Sequence, residues 1–512
     1  MFPAFGPTPL RVCALSSSLL LSVAARSPAL AAQEPPTAIE AHWSNVIQVS
    51  KTKPSLLFIG TPKTEQNSPL RIPILKAVKD LNLDDVRYSP CNLYPRLDIP
   101  ELDPPTKTST SWNFSLIDPE AEDAMRALAG HSIVLNFSTI PEWMIKTPKP
   151  VPYPSDPDKP INNSDYEQGM ELRDPTYREV ADYYVRVANW YANGGFTDEL
   201  GKWHESGHHY KIDYWEVLNE PDVEHNFSAQ TYTKLYDAIV EAVHKALPDA
   251  KFVGLSNSYP GGHPDLFEYF LDPKNHKSGI PLDMISYHFY AVPEQDEPAD
   301  AHPFTFFAQA DRFLEVAGYI ETMRKRLSPQ TGTMVDEIGT MHADDWGQAK
   351  TDYMYKPLPA SYWNLSAAVY AYVFTRLARM GVDVATESMM PAYPGNYASI
   401  AMIDWNTGQP NARYRVLKLI GDNFHPGDKL VDTQVSGGPV LAQGLVGPGG
   451  TRKLLLVNKR DRDLMLIVPD AKGGKIEAVD KTTGSNPPSS VAIDRDTLQL
   501  GALGVAVITL PQ

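Results

Sequence analysis

The sequence predicts an α/β protein: a (β/α)8 TIM barrel followed by a smaller C-terminal β-sandwich. Three observations carry this reading. Between residues 54 and 390 eight short β-rich runs alternate with longer helical patterns, and strand–helix alternation implies parallel strands joined by crossovers. Eight such units over about 330 residues match the size of a barrel with insertions. From about residue 424 the helical patterns stop, and short strands follow one another across Gly and Pro turns. An open doubly wound sheet fits less well, because no G-x-G-x-x-G follows the first run.

Taken in order, residues 1–31 read as a secretory signal. Arg11 supplies a positive start, Val12 to Ala25 is mainly apolar, and Ala29-Leu30-Ala31 fits an A-x-A cleavage site. The run is broken by serines and too short to span a bilayer, and no later stretch reaches about 18 apolar residues. A secreted, extracellular protein with no membrane partner is expected. Residues 32–50 form an N-terminal segment that could complete the sandwich. The barrel is expected over 51–423, with strand runs at 56–59, 85–88, 132–137, 214–218, 251–255, 284–290, 333–337 and 382–387. Amphipathic patterns over 177–191, 229–246, 313–327 and 366–380 supply crossover helices. The sandwich is expected over 424–512, in strands near 429–431, 440–442, 453–458, 463–468, 475–478 and 505–510.

Charge narrows the partners. The net charge of −16 becomes −18 without residues 1–31, which hold two arginines and no acid. Such a surface repels phosphate backbones and anionic membranes, so nucleic acid is not an expected partner. Cys13 would leave with the signal and Cys91 would stand alone, a buried small hydrophobe without a disulfide. Sequons at Asn113, Asn136, Asn162, Asn226 and Asn364 mark candidate glycosylation sites of a secreted chain.

The stretch GKWHESGHHYKIDYWEVLNEPD, residues 201–222, holds two competing signatures. His204-Glu205-Ser206-Gly207-His208 matches H-E-x-x-H, which binds zinc only when a helix brings both histidines to one face. Here the segment has no apolar stripe and two glycines, and it lies in a loop just ahead of a strand, so a solvated turn is expected and no metal. The second signature is Glu220, at the end of the fourth run. Active sites of barrels sit at the C-terminal ends of the strands, and Glu337 ends the seventh run 117 residues later. Strands four and seven face each other across the mouth. Two carboxyl groups about 5 Å apart, one protonated and one ionised, are what hydrolysis of a glycoside with retention requires. Glu216 lies on the same strand about 13 Å deeper and reads as a buried charge paired with another strand. Asp336 alternates to the opposite face and reads as a supporting acid.

WEVLNEP followed by VDEIG resembles the clan of retaining (β/α)8 glycosidases. Within it the chain is most similar to family-39 glycoside hydrolases, the group of β-xylosidases and α-L-iduronidases. Segments WNFSLID at 112–118, LNFSTIPEWM at 135–144 and ISYHFY at 285–290 fall where that family has similar ones. The resemblance implies Glu220 as acid/base and Glu337 as nucleophile, with no cofactor and a carbohydrate as partner. It further implies Asn219 on the sugar 2-hydroxyl, His288 or Tyr290 against the nucleophile or sugar, and Trp143 as an apolar wall. Beyond the resemblance, Arg87 on the second run is placed to hold Glu337 ionised. Trp405 is a candidate stacking platform and Glu387 a candidate for binding a substrate hydroxyl. The expected activity is exo-acting and β-xylosidase-like, with α-L-arabinofuranosidase or β-galactosidase as alternatives. The iduronidase branch is disfavoured by the lack of a basic cluster. A reading of another class is a catalytically silent carbohydrate-binding protein, whose signature, loss of either carboxylate, is not met. No residue pattern specifies an oligomeric state.

Overall fold

The computed structural model describes residues 35–61, 63–90, 99–137, 140–147, 170–343, 358–391 and 398–511. The expected signal segment, Cys91 and the sequon at Asn162 lie outside the described residues. The chain enters through β1 (Thr37–Val49) and then lays down the barrel. Its first strands are β2 (Lys53–Ile59), β3 (Asp85–Ser89) and β4 (Ser132–Phe137). A small hairpin of β5 (Gly195–Thr197) and β6 (Trp203–Glu205) precedes β7 (Tyr214–Val217). The ring is completed by β8 (Lys251–Asn257), β9 (Met284–Ala291), β10 (Gly332–Thr340) and β11 (Val384–Met390). The eight expected runs thus form eight parallel strands, closed in chain order with β11 beside β2.

The described crossovers are α1 (Arg71–Leu81), α2 (Asp118–Ala127), α3 (Arg178–Ala192), α4 (Ala229–Ala246), α5 (Pro264–Leu271), α6 (His302–Leu327) and α7 (Ala360–Met380), with α8 (Ala412–Gly421) after β11. Local chemistry fixes their ends. Ser228 caps α4 by accepting a hydrogen bond from the Thr231 amide, and α7 stops at Gly381 in the left-handed conformation. α6 begins eleven residues before the amphipathic pattern predicted, at His302-Pro303, where proline fits the first turn of a helix. Among the described residues, no helix is long and apolar enough to cross a membrane.

The C-terminal part is a mostly antiparallel sheet. Its strands are β12 (Lys429–Val435), β13 (Val440–Val446), β14 (Arg452–Asn458), β15 (Leu464–Ile467), β16 (Lys475–Val479), β17 (Ser489–Ala492), β18 (Thr497–Leu500) and β19 (Val505–Thr509). β1 joins it, pairing antiparallel with β12 along most of its length and parallel with β15 through Thr37 and Ala38. β17 and β18 carry no sequence signal, since β17 is exposed throughout.

Period-two alternation divides this sheet's side chains between two cores. Leu454, Leu456, Ala506 and Ile508 pack with Leu464, Leu466 and Leu500 inside the sheet domain. Their alternates Leu455, Val457, Val505 and Val507 join the main cluster that holds the barrel helices. α7 lies between barrel and sheet, which explains why it is apolar nearly all round.

The barrel interior is layered by the same period. Val134, Met284, Met334 and Val384 form an apolar floor with Val253, and Tyr214 packs against it. Two residues further along these strands stand Asn136, Ser286, Asp336, Thr386 and Glu216, all buried and all polar. The catalytic end of the barrel is therefore built on a polar layer over an apolar plug.

Two sequons are closed to glycans. Asn136 and Asn364 are each 1% exposed, whereas Asn113 and Asn226 are exposed.

Candidate active site

Arg87 on β3 organises the polar layer. Its Nε donates to Oε2 of Glu216 at 2.6 Å, Nη1 to Oε1 of Glu337 at 2.7 Å, and Nη2 to Oδ1 of Asn219 at 2.8 Å. Burial opposes the guanidinium charge, but Glu216, Asp336 and Glu337 outweigh it and raise its pKa further. Glu216 also accepts from Asn136 Nδ2 at 2.8 Å and Ser286 Oγ at 2.7 Å. Burial pushes its carboxyl up to about 7 against the pull of Arg87. Glu216 is thus the buried, cross-strand partner that its depth in the barrel predicts.

Glu337 reaches the mouth because β10 bulges. The pairing with β9 runs Val335 to Tyr287 and then Glu337 to His288, leaving Asp336 as the extra residue. This corrects the expectation for Asp336. It does not face away; both acids turn into the barrel. Asp336 Oδ2 accepts from Ser256 Oγ at 2.9 Å and lies 3.3 Å from His288 Nε2 and 3.4 Å from Arg87 Nη2. Burial pushes this carboxyl up, but His288 and Arg87 together hold it well below the usual range.

Tyr290 donates its hydroxyl to Oε2 of Glu337 at 2.5 Å and pairs with the Ser388 hydroxyl. Both oxygens of Glu337 therefore carry a donor. Burial, and then the Glu337 charge, raise the Tyr290 pKa well above its ordinary value, keeping the phenol protonated.

Glu220 follows β7 in an unusual backbone. Leu218 and Glu220 have φ of 63° and 42°, and Leu255 and Ser256 on the neighbouring strand 85° and 46°. Non-glycine residues there cost about 1–3 kcal/mol each and persist only when the surroundings impose them. Asn136 Nδ2 on the Leu218 carbonyl and the Glu220 amide on the Ser256 carbonyl supply that constraint. The result is a side chain turned inward, with Oε1 2.8 Å from His288 Nδ1. Burial lowers the His288 pKa, yet Glu337 and Asp336 outweigh it and raise the imidazole well above its ordinary value. Glu220, His288 and Glu337 each offer an atom within 4.8 Å of the others. Three such groups could hold a cation, but one would have to share Glu337 with the Arg87 guanidinium. Carboxyl oxygens this close match the shorter spacing of a retaining pair and not the wider spacing of an inverting one.

Asn219 keeps its amide oxygen on Arg87 and on Ser256 Oγ, 3.2 Å away, while Nδ2 donates to Glu224 at 3.2 Å. Among the described residues, the second N–H of that amide takes no partner.

No protein-family model matches the chain, and no curated protein matches it in sequence. Solved structures do match it in shape. The family 51 α-L-arabinofuranosidase AbfB from Bifidobacterium longum aligns with a TM-score of 0.63 at 14% identity, over 94% of this chain and 100% of the other. The GH51 arabinofuranosidase from Xanthomonas axonopodis pv. citri gives 0.62 at 12%, over 93% and 100%. A GH30 endoxylanase from Clostridium papyrosolvens gives 0.56 at 12%, also over 93% and 100%. The fold is that of the (β/α)8 glycoside hydrolases with an appended β-domain. At these identities the likeness concerns the glycosidase fold at large and does not single out family 39.

Three expected ligand contacts fall elsewhere in this glycosidase fold. Glu387 is fully buried, with Oε1 2.9 Å from Arg413 Nε, and burial raises its carboxyl to about 8. Buried against Arg413 of α8, this carboxyl is closed to a substrate hydroxyl. Trp405 is 7% exposed, packed with Leu57, Ile59 and Met389, so its faces are covered by apolar side chains. Trp143 donates Nε1 to the Glu101 carbonyl at 3.0 Å, with the Arg173 guanidinium 4.4 Å above its ring. Its contacts run to that loop and not to the carboxylate pair.

The zinc-like motif resolves as a hairpin and turn. His204 sits in β6 with Nε2 2.9 Å from Asp198, while His208 lies 3.5 Å from Asp118 and stacks on Tyr210. The two histidines are held by separate carboxylates.

Ser256 was missed by sequence reasoning. Ser256 touches Arg87, Asn219, His288 and Asp336, and a serine after an apolar run gives no signal for that.

Proposed function

We propose that the chain is a secreted retaining O-glycoside hydrolase with Glu337 as nucleophile and Glu220 as acid/base. The observation that carries this reading is the placement of two carboxyl groups within 4.8 Å, one on two donors and the other on an imidazole. Glu337, held by Arg87 and Tyr290, attacks the anomeric carbon as Glu220 gives its proton to the leaving oxygen. Glu220 then takes a proton from the water that releases the glycosyl-enzyme. His288, kept protonated by Glu337 and Asp336, donates from Nδ1 to Oε1 of Glu220 and from Nε2 to Asp336 throughout this cycle. The proton that Glu220 gives to the leaving oxygen is carried on its other oxygen. Once it has gone, the imidazolium stabilises the carboxylate.

The substrate class we propose is the pentosides, β-D-xylosides or α-L-arabinofuranosides. The first is what the resemblance to family 39 implies, and the second is supported by the arabinofuranosidases among the similar structures. An exo mode belongs to the same reading.

The test is hydrolysis of aryl β-xyloside, α-L-arabinofuranoside, β-galactoside, β-glucoside, β-glucuronide and α-iduronide in excess chelator. Wild type should cleave a pentoside, with retained configuration in the first-formed product by NMR. Glu337→Ala and Glu220→Gln should lower kcat by about a thousandfold or more. Activity that survives Glu337→Ala, an inverted product, or loss of turnover with chelator would overturn the assignment.

A further inference from the structure

On the outer face of α3, against the β5–β6 hairpin, lies an open cavity of about 480 Å³. Asp182, Arg186, Asn189 and Asn193 line one side, Thr197 and Trp203 the other. The hairpin leads directly into the start of β7, so the cavity belongs to the end of the barrel opposite the carboxylate pair. Trp203 is 55% exposed, although a tryptophan usually buries its large apolar surface. It is also held in place. A Cβ on Gly195 would come within 2.8 Å of Trp203 Cζ2, so the indole lies against the bare backbone of a glycine.

The other groups define what such a ring would meet. Asn189 and Asn193 bring amides to the cavity: Asn193 Nδ2 donates to Asn189 Oδ1 at 2.8 Å and to the Ala246 carbonyl at 3.4 Å, so Asn193 offers its oxygen as acceptor and Asn189 its NH2 as donor. Asp182 opens to solvent on the same helix face. Arg186 carries the positive charge of the lining, and Glu199 neutralises it at 2.5 Å. An anion therefore finds no surplus cation here. An exposed indole face beside amides and a carboxylate suits a ligand with one apolar face and a rim of neutral hydroxyls. A sugar ring has that shape and polarity.

We propose that this cavity is a second carbohydrate-binding site, taking one or two residues of a neutral polysaccharide chain by stacking on Trp203 and hydrogen bonding to Asn189, Asn193 and Asp182. A sugar held there cannot reach Glu220 or Glu337 of the same molecule. The site tethers the protein to the polymer and does not add to the catalytic cleft.

The test uses the full chain carrying Glu337→Ala, so that ligand survives, in native gels containing soluble arabinoxylan, xylan, arabinan or mixed-linkage β-glucan. Retardation by at least one polymer is expected. Adding Trp203→Ala should weaken it at least fivefold, and Trp203→Phe, which keeps a ring, should restore part of it. In the otherwise wild-type chain, Trp203→Ala should leave kcat/KM on the aryl glycosides unchanged. Equal retardation with and without Trp203, or none with any polymer, overturns the site. Failure of the catalytic reading shows separately, as absent aryl-glycoside hydrolysis by wild type.

Discussion

Arg87 Nη1 meets Oε1 of Glu337 at 2.7 Å across the barrel mouth, joining the second and seventh strands by one charge-assisted hydrogen bond. The same guanidinium holds Glu216 and Asn219 through its other nitrogens. A planar fork with three engaged corners cannot be replaced by an ammonium. Arg87→Lys should therefore lose at least about a hundredfold in kcat. Arg87→Met should also destabilise the fold by about 3–5 kcal/mol, because Glu216 and Asp336 are left as buried acids without their cation. Thermal melts beside aryl-glycoside kinetics check both. A wild-type kcat in Arg87→Lys would show that the fork does not position the nucleophile.

Tyr290 separates positioning from folding. Its hydroxyl serves Glu337 and Ser388 at the mouth, and its ring packs beside Met341 and Met389. Tyr290→Phe keeps the ring and removes one of two donors to Glu337. The expected result is a kcat about 10- to 100-fold lower with a melting temperature within a few degrees of wild type. A variant that is both unfolded and inactive would assign Tyr290 to stability alone.

The contrast between these two residues shows what the sequence could convey. Period-two runs and their spacing specify the barrel, because burial on both strand faces leaves few polar positions. The few that interrupt the runs, such as Arg87, Glu216 and His288, stand out as interior charges. Motif and strand-end position likewise single out Glu220 and Glu337, which the fold brings within 4.8 Å of each other. What stays hidden depends on backbone irregularity. The bulge at Asp336 turns two successive acids inward, and strict alternation assigns one of them wrongly. Glu387 and Trp405 also follow the strand-end rule, but the packing of Arg413 and Leu57 around them is tertiary and closes them to ligand. β17 fails for the opposite reason, since an exposed edge strand has no buried face to impose a pattern, and the four residues of β18 are too few to show one.

Tyr259 should govern the leaving-group side. It is 64% exposed on the loop after β8, and its backbone amide donates to Asp222 Oδ2 at 2.9 Å. Its ring occupies the space that a side chain at Gly262 would need. Ser256, near the end of β8, accepts from the Glu220 amide, and the Asp222 contact ties Tyr259 to the segment that carries Glu220. Tyr259→Ala should raise KM for a pentose oligosaccharide by about three- to tenfold, equivalent to about 1 kcal/mol of lost contact, while kcat on a small aryl glycoside stays near wild type. Equal effects on both substrates would place the ring elsewhere in the reaction.

Glu101 makes the stability of the fold depend on pH. It is fully buried, and among the described residues neither carboxyl oxygen has a hydrogen-bond partner. Burial, reinforced by Glu199, raises its pKa to about 8. In the unfolded chain the same group ionises near its ordinary value of 4.5. Below that pH both states keep the proton and the residue contributes no pH dependence. Between about pH 4.5 and 8 the unfolded chain releases its proton while the folded chain retains it, so folding stability falls as pH rises. Glu101→Gln removes the titration and keeps the shape. Wild type and variant should melt together near pH 4, and the variant should gain progressively, by on the order of 2 kcal/mol at pH 8. Glu216, Glu387 and Asp85 are also raised by burial, but they are common to both chains and cancel in the difference. Parallel melting curves across the whole range would mean that the Glu101 carboxyl is solvated or paired in the folded protein.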